Sequence, residues 1–535
     1  MARTSRRYHL PYKWNRIGIS DSFARLISQR WIYSSVAAVL LFSINVELVW
    51  PTFVPNLSEI TAFAEAAYIN NGRMLAEGMM VPLGYSPLSA ILYALIYIPF
   101  ESTPYWLVYC CWVGRVLLFA LLWASAYLVA EALAGKESDS NLVSPLLVVA
   151  LAFVSPALIN LITQAGHALF AAMSAFALSH LLLFCRSNQK KHLIAASFFV
   201  AASVLARSGE GLILWISLIG LATWLRGRLN LTQSLAGSIL PCAAILVAYM
   251  LLYSSVTGQF DLGMAEYSYF AFEQGQGLAH QSHYPVSANF YVDGQLEARR
   301  LFGTPEENGY SIFAAIMRNP IAYIERVPQL IKLVPMNAIA MYGGGLGLAF
   351  FFFAVRGVIE LARQNHYRSL AILLLWSSYL ALYPFLVFQP MHFLFPYYVI
   401  LVLTAVGLTA TIRNSDGRTE RCLWYVTFAA TLAAGVALGH ARLVSIFLFL
   451  LLGIALLWMV MRRYREVKSI EFVGLFLLLI GLVLHNKVPE HKFATLGIAA
   501  EDQATLFLRD HLKAGTPVAA YAPKNIWMAK LTYIP

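Results

Sequence analysis

Asn56-Leu-Ser-Glu59-Ile-Thr-Ala-Phe-Ala-Glu65-Ala-Ala-Tyr68-Ile-Asn-Asn-Gly72-Arg73-Met-Leu75-Ala-Glu77-Gly78, followed by Gly84-Tyr85-Ser86-Pro87-Leu88, is a polar stretch set between apolar runs. Its spacing predicts a polar-faced helix from Ser58 to Glu77 and then an apolar helix from Pro87 to Phe100. At about 14 residues, opened by Pro87 and closed by Pro99, the second helix is short for a membrane span and reads as interfacial or re-entrant. The runs on either side, 31–50 and 105–134, are each long enough to cross about 30 Å of hydrocarbon.

Runs of that length recur from Trp31 almost to the C-terminus. Of 535 residues, 59% are hydrophobic and only 12% charged, with a mean hydropathy of +0.65. One soluble core cannot bury so much apolar surface, which excludes soluble globular, collagenous and disordered classes. Transmembrane helices are predicted at 31–50, 105–134, 142–163, 165–185, 193–206, 211–225, 234–255, 336–360, 369–388, 393–412, 422–440, 443–461 and 469–485, about thirteen crossings in all. The segments 193–206 and 211–225 are short, and a hairpin dipping into the membrane is the alternative there. The fold class is an all-α polytopic membrane protein.

The net charge of +11 resides mostly in short loops between spans, so it reports topology and not nucleic-acid binding. Basic residues before an apolar run also open secretory signals, but 31–50 is too long and lacks a small-residue cleavage site, so it reads as a retained helix. With Arg3, Arg6, Arg7, Lys13, Arg16, Arg25 and Arg30 in the cytoplasm, the later basic loops test the count. Arg186, Lys190 and Lys191, Arg226 and Arg228, Arg363 and Arg368, Arg413, Arg418 and Arg421, and Arg462, Arg463 and Arg465 all fall inside, provided that Pro87–Phe100 does not cross. The chain divides into a basic cytoplasmic N-terminus (1–30), a transmembrane domain (31–485) with outer loops at 51–104 and 256–335, and an outer tail (486–535). The tail reads as an amphipathic helix from Asp502 to Lys513, a Gly515-Thr-Pro517 turn and a β-like Val518-Ala-Ala-Tyr521, the opening of an α/β domain that is either vestigial or truncated. The expected location is a bacterial inner membrane, with the N-terminus in and the C-terminus out. Cys110, Cys111, Cys185, Cys242 and Cys422 have no CxxC or His spacing, so neither a disulfide framework nor a zinc site is expected.

In the first outer loop, the order Glu65, Tyr68, Gly72, Leu75, Gly78 and then Pro87-Leu88 resembles that of the GT-C superfamily, polytopic glycosyltransferases that use polyprenyl-phosphate sugars, and specifically a glycosyltransferase family 39-like pattern. Gly114-Arg115, Ser155-Pro156, the Arg207-Ser-Gly-Glu210-Gly turn and Met391-His392-Phe-Leu-Phe-Pro396 agree with it. Three positions depart from the family pattern: Ala64 stands where an Asp is expected, His167 lies where many members carry an Asp, and His392 replaces an Arg. The resemblance implies a GT-C-like helical bundle with juxtamembrane helices. It also implies transfer of a sugar from a polyprenyl-phosphate donor to a lipid or glycan acceptor at the outer face. A lipid or solute transporter or flippase, and a noncatalytic GT-C-like assembly partner, are the alternatives; the halves show no matched pair of broken helices of the kind that marks many transporters.

Such chemistry needs a carboxylate to take the acceptor's proton and cations to stabilise the departing phosphate. Glu65 is the first choice for the base and Glu59 the second, with Arg115 and Arg207 as phosphate ligands. Tyr68, His167, Glu273, Gln274 and His392 are the candidate substrate contacts. The structural alternatives are specific. Asn56-x-x-Glu59 has capping-box spacing, and Glu65 could sit on a solvated helix face. Arg115 could pair with Glu47 or Glu65, and Arg207 with Glu210. His167 could bond a loop, and the segment Glu266–Gly277 could be a packed lid. No cofactor is assigned; a divalent metal has only His280-x-x-His283 to recommend it, which is weak support.

Overall fold

The computed structural model describes residues 63–78, 86–103, 106–134 and 164–413, the last with interruptions at 228, 259, 264, 281–289, 342–344 and 387–396, and parts of 507–519 and 532–534. Glu47, Glu59, His392, His283, Ser155-Pro156 and the predicted spans 31–50, 142–163, 422–440, 443–461 and 469–485 lie outside the described residues.

Apart from two short tail strands, the described structure is helical. The first outer loop gives α1 (Phe63–Ala76) and α2 (Pro87–Tyr97). Ser86 caps α2 by accepting from the Ser89 amide at 3.2 Å, and Pro87 occupies the first turn, where its missing N–H costs nothing. The membrane bundle follows with α3 (Trp106–Ala134), α4 (Ala165–Ser187), α5 (Lys190–Ala206), α6 (Ser208–Trp224) and α7 (Leu231–Thr257). Among the described residues, Trp106–Leu133, Ala165–Ser187 and Leu231–Ser255 are long and apolar enough to cross a membrane. The chain is an integral membrane protein.

Side-chain size sets the order of packing. In α4, Ala168, Ala171, Ala172 and Ala175 are buried, and these small residues let α3 and α5 approach its axis closely. Its apolar window is 72% buried, against 22% for α7, so α4 lies in the core of the bundle while α7 turns Leu240, Leu251 and Leu252 outward. The α5–α6 hairpin turns on Arg207 alone, whose extended backbone separates two helices of 17 residues.

A proline explains one set of buried contacts. Pro241 lies inside α7 and breaks the regular ladder of backbone hydrogen bonds. Ser197 of α5 donates to the Ser238 carbonyl at 2.9 Å and accepts from the Cys242 amide at 3.1 Å, and Trp215 of α6 donates to the same carbonyl at 3.0 Å. In hydrocarbon these groups have no water to turn to, so neighbouring helices satisfy them.

The second outer loop forms α8 (Ala265–His280), α9 (Phe290–Phe302), α10 (Ile312–Arg318) and the start of α11 (Pro320–Met341), packed around Tyr269, Phe272, Phe302 and Ala315. The bundle then resumes with α12 (Gly345–Arg363), α13 (Tyr367–Leu386) and α14 (Tyr397–Arg413). The predicted span 336–360 straddles two helices, because hydropathy averages across a window and does not register that 336–341 completes α11. In the tail, β1 (Pro517–Ala519) pairs in parallel with β2 (Thr532–Ile534), Val518 opposite Tyr533.

Ser197→Ala removes both bonds that bridge the Pro241 break and should destabilise the purified protein by about 1–3 kcal/mol, read as a lowered unfolding midpoint in detergent. Ser197→Thr, which keeps the hydroxyl, should lose less.

Candidate functional site

The amphipathic pattern of α1 places Glu65 and Tyr68 one turn apart on the face that packs against α2 and α3. Both are buried. Close approach is enforced by small residues: a Cβ on Gly72 would overlap the backbone of α2 at Tyr93, and one on Gly114 would overlap the Tyr93 ring. Tyr93 is thereby clamped between α1 and α3, and Arg115, the residue after Gly114, reaches Glu65.

The contact is bidentate. Arg115 Nε donates to Glu65 Oε1 at 2.7 Å and Nη2 to Oε2 at 2.6 Å. The Glu65 side chain is 1% exposed and that of Arg115 17%. Arg115 lies about 14 Å along α3 from its start at Trp106 within an apolar helix, where an unpaired guanidinium would be costly; the carboxylate offsets that cost.

A second cluster adjoins Tyr68. Its hydroxyl lies over Gly166, where a Cβ would come within 2.9 Å of the oxygen, and Ser86 closes the same spot. His167, the next residue, is fully buried in the first turn of α4. Arg207 Nη1 donates to His167 Nε2 at 2.7 Å, so this ring nitrogen presents its lone pair. Arg207 Nε donates to Glu210 Oε1 across three residues, and both side chains are buried. The extended backbone at Arg207 that separates α5 from α6 is what turns the guanidinium toward α4.

Five predicted site residues are therefore drawn into two abutting clusters: Glu65 with Arg115, and Tyr68 with His167 and Arg207. Of the structural alternatives, two are realised: Arg115 pairs with Glu65, and Arg207 with Glu210. Glu273 and Gln274 lie on α8. Arg299 Nε donates to Glu273 Oε1 at 2.8 Å and Nη2 to Oε2 at 3.3 Å, while Gln274 is half-buried. Burial pushes the Glu273 carboxyl up from its ordinary value, against the pull of the Arg299 hydrogen bond. That is the geometry of a packed ion pair. No group of three or more His, Cys, Asp or Glu suited to a metal occurs among the described residues.

Sequence reasoning passed over a neighbouring network at the far end of α1. Arg73 donates to Asn70 Oδ1 and Glu77 Oε2, each at 3.2 Å, and lies 5.7 Å from the Trp106 ring centre. Tyr97 donates to Glu77 Oε1 at 2.8 Å and packs edge-on against Trp106. Burial and the Glu77 hydrogen bond push the Tyr97 phenol up, so it keeps its proton as donor. The i, i+4 spacing of Arg73 and Glu77 was the available signal. This network fixes the α1–α2 corner that carries Glu65.

No protein-family profile matches the chain, and no curated protein sequence matches it. Solved structures do. The crystal structure of ArnT from Cupriavidus metallidurans bound to undecaprenyl phosphate matches with a TM-score of 0.57 and 13% identity, over 95% of this chain and 86% of that one. The same protein in the apo state matches with a TM-score of 0.51, at the same identity and coverage. At that identity the likeness is one of fold: this chain has an ArnT-like fold.

Removing one member of a buried ion pair leaves the other charge stranded. Glu65→Ala should therefore cost about 3–5 kcal/mol in unfolding free energy, and the double variant Glu65→Gln with Arg115→Gln should recover most of it. Denaturant titration of the purified proteins checks both.

Proposed function

We propose that this protein is a membrane glycosyltransferase that takes a sugar from a polyprenyl-phosphate donor and transfers it to a lipid or glycan acceptor at the outer face. The observation that carries this reading is the half-buried Arg115 held by the buried carboxylate of Glu65, beside a second buried cluster of Arg207, Glu210 and His167, within a fold shared with a protein crystallised with undecaprenyl phosphate. The expected setting is a bacterial inner membrane.

In this reading the acceptor hydroxyl attacks the anomeric carbon and gives its proton to Glu65. The bond from that carbon to the phosphate oxygen breaks, and polyprenyl phosphate departs with the bonding electrons. Arg115 and Arg207 stabilise that charge in a site of low dielectric, where fixed cations are worth far more than in water. Tyr68 and His167 line the space between them.

The ion pair adds a condition. Arg115 takes one acceptor position on each Glu65 oxygen, so in this reading release of the guanidinium to another anion frees Glu65 to turn toward the acceptor hydroxyl. The donor phosphate is the natural competitor, since a planar fork binds phosphate and carboxylate alike. Donor binding then converts a structural salt bridge into a free carboxylate beside a bound leaving group.

The test is transfer in isolated membranes from a panel of labelled polyprenyl-phosphate sugars, with lipid and glycan acceptors supplied. One donor should be used by the intact protein. Arg207→Gln should lower kcat/KM by about 100-fold or more, the scale of one lost transition-state donor. No transfer from any donor would overturn the proposal in favour of transport or assembly.

A further inference from the structure

The second outer loop carries an apolar ridge that its own packing leaves uncovered. In α10, Ala315 is fully buried in the core formed with Tyr269, Phe272 and Phe302, yet the opposite face presents Phe313, 73% exposed, and Met317, 59% exposed. The ridge continues past Asn319 onto α11 with Ile321 at 69%, Ile324 at 65% and Ile331 at 50%. Phe313 and Met317 lie one turn apart on α10, and Ile321, Ile324 and Ile331 recur at intervals of three and seven on α11, with the non-helical Asn319 between the two helices. A helix facing water carries polar residues on its outer side, and a contiguous run of large apolar ones marks a contact surface.

The course of the chain identifies what covers it. The loop leaves the membrane at the end of α7, a helix long and apolar enough to cross, and returns along α11, which closes three residues before α12 in the predicted span 336–360. Both ends of the loop are thus tied to the bilayer. Of the charged groups beside the ridge, Arg318 is half-exposed and pairs with Glu307, and Glu325, next to Ile324, is exposed; both suit a headgroup layer.

We propose that α10 and the first half of α11 lie in the outer leaflet, with Phe313, Met317, Ile321 and Ile324 among the upper acyl chains, so that the second outer loop is seated on lipid. An amphipathic helix in this position buries its apolar face about 5–10 Å below the headgroup boundary. The occupant of the ridge is the surrounding lipid, not a second copy of the chain or another protein.

The full-length protein with Phe313→Cys or Ile324→Cys, labelled with an environment-sensitive nitrobenzoxadiazole fluorophore in phosphatidylethanolamine–phosphatidylglycerol nanodiscs, tests this directly. Unsubstituted protein carried through the same labelling gives the background, and Glu306→Cys supplies a label on an exposed polar site. Both ridge labels should emit blue-shifted light, lose it to lipids bearing a doxyl group near the headgroup, and keep it in iodide, while the Glu306 label should be quenched by iodide. Iodide quenching at the ridge would overturn the proposal by placing it in water. Protection from both quenchers would overturn it by placing protein there. Should one ridge variant fail to fold, Ile321→Cys reads the same face.

Discussion

The Glu65–Arg115 ion pair is the constraint around which the α1–α3 end of the bundle is arranged. Neither charge is tolerable alone at that depth, and each is retained because the other supplies two aligned hydrogen bonds. The pair ties α1 to α3, and its geometry depends on how closely those helices approach. Gly72 and Gly114 set that approach by leaving room for Tyr93. The Arg73–Glu77–Tyr97 network then fixes the other end of α1 against α2. The short helix α1 is thereby held in one orientation.

That orientation has a chemical consequence. Tyr68, one turn from Glu65, is brought over Gly166, and the next residue, His167, is already engaged by Arg207. Two guanidiniums, each paired with a carboxylate, thus lie in neighbouring clusters drawn from helices far apart in sequence. A buried ion pair is weak evidence for stability, since an apolar replacement often does as well. Under the proposed transferase function, a lipid phosphate would displace Glu65 from Arg115. The structural reading and the catalytic reading of Glu65 are then two states of one site.

Much of this was legible in the sequence, for identifiable reasons. Long apolar runs and basic loops report the membrane class, and Pro87 after Ser86 marks the start of α2. The Glu65, Tyr68 and Arg207-x-x-Glu210 positions were visible because helical spacing and charge in an apolar setting are local properties. The choice between Glu47 and Glu65 as the partner of Arg115 was not, because it depends on how closely α1 approaches α3. The role of Gly114 was hidden for the same reason: a glycine in an apolar helix does not reveal which ring will lie against it. For Glu273 and Gln274 composition left an acceptor surface and a packed lid open, and the Arg299 partner of Glu273, twenty-six residues on, depends on how α8 meets α9. Ser197 as the bridge for Pro241 likewise required knowing which helix lies alongside.

The central claim is that Glu65 and a lipid phosphate compete for Arg115. The most direct measurement is the affinity of the purified protein for undecaprenyl phosphate, by titration in nanodiscs, for the unsubstituted chain, Glu65→Gln and Arg115→Gln. Competition requires Glu65→Gln to bind the phosphate more tightly while transferring no sugar, and Arg115→Gln to bind it more weakly. Equal affinity in all three would contradict the account and leave Glu65–Arg115 as a strut.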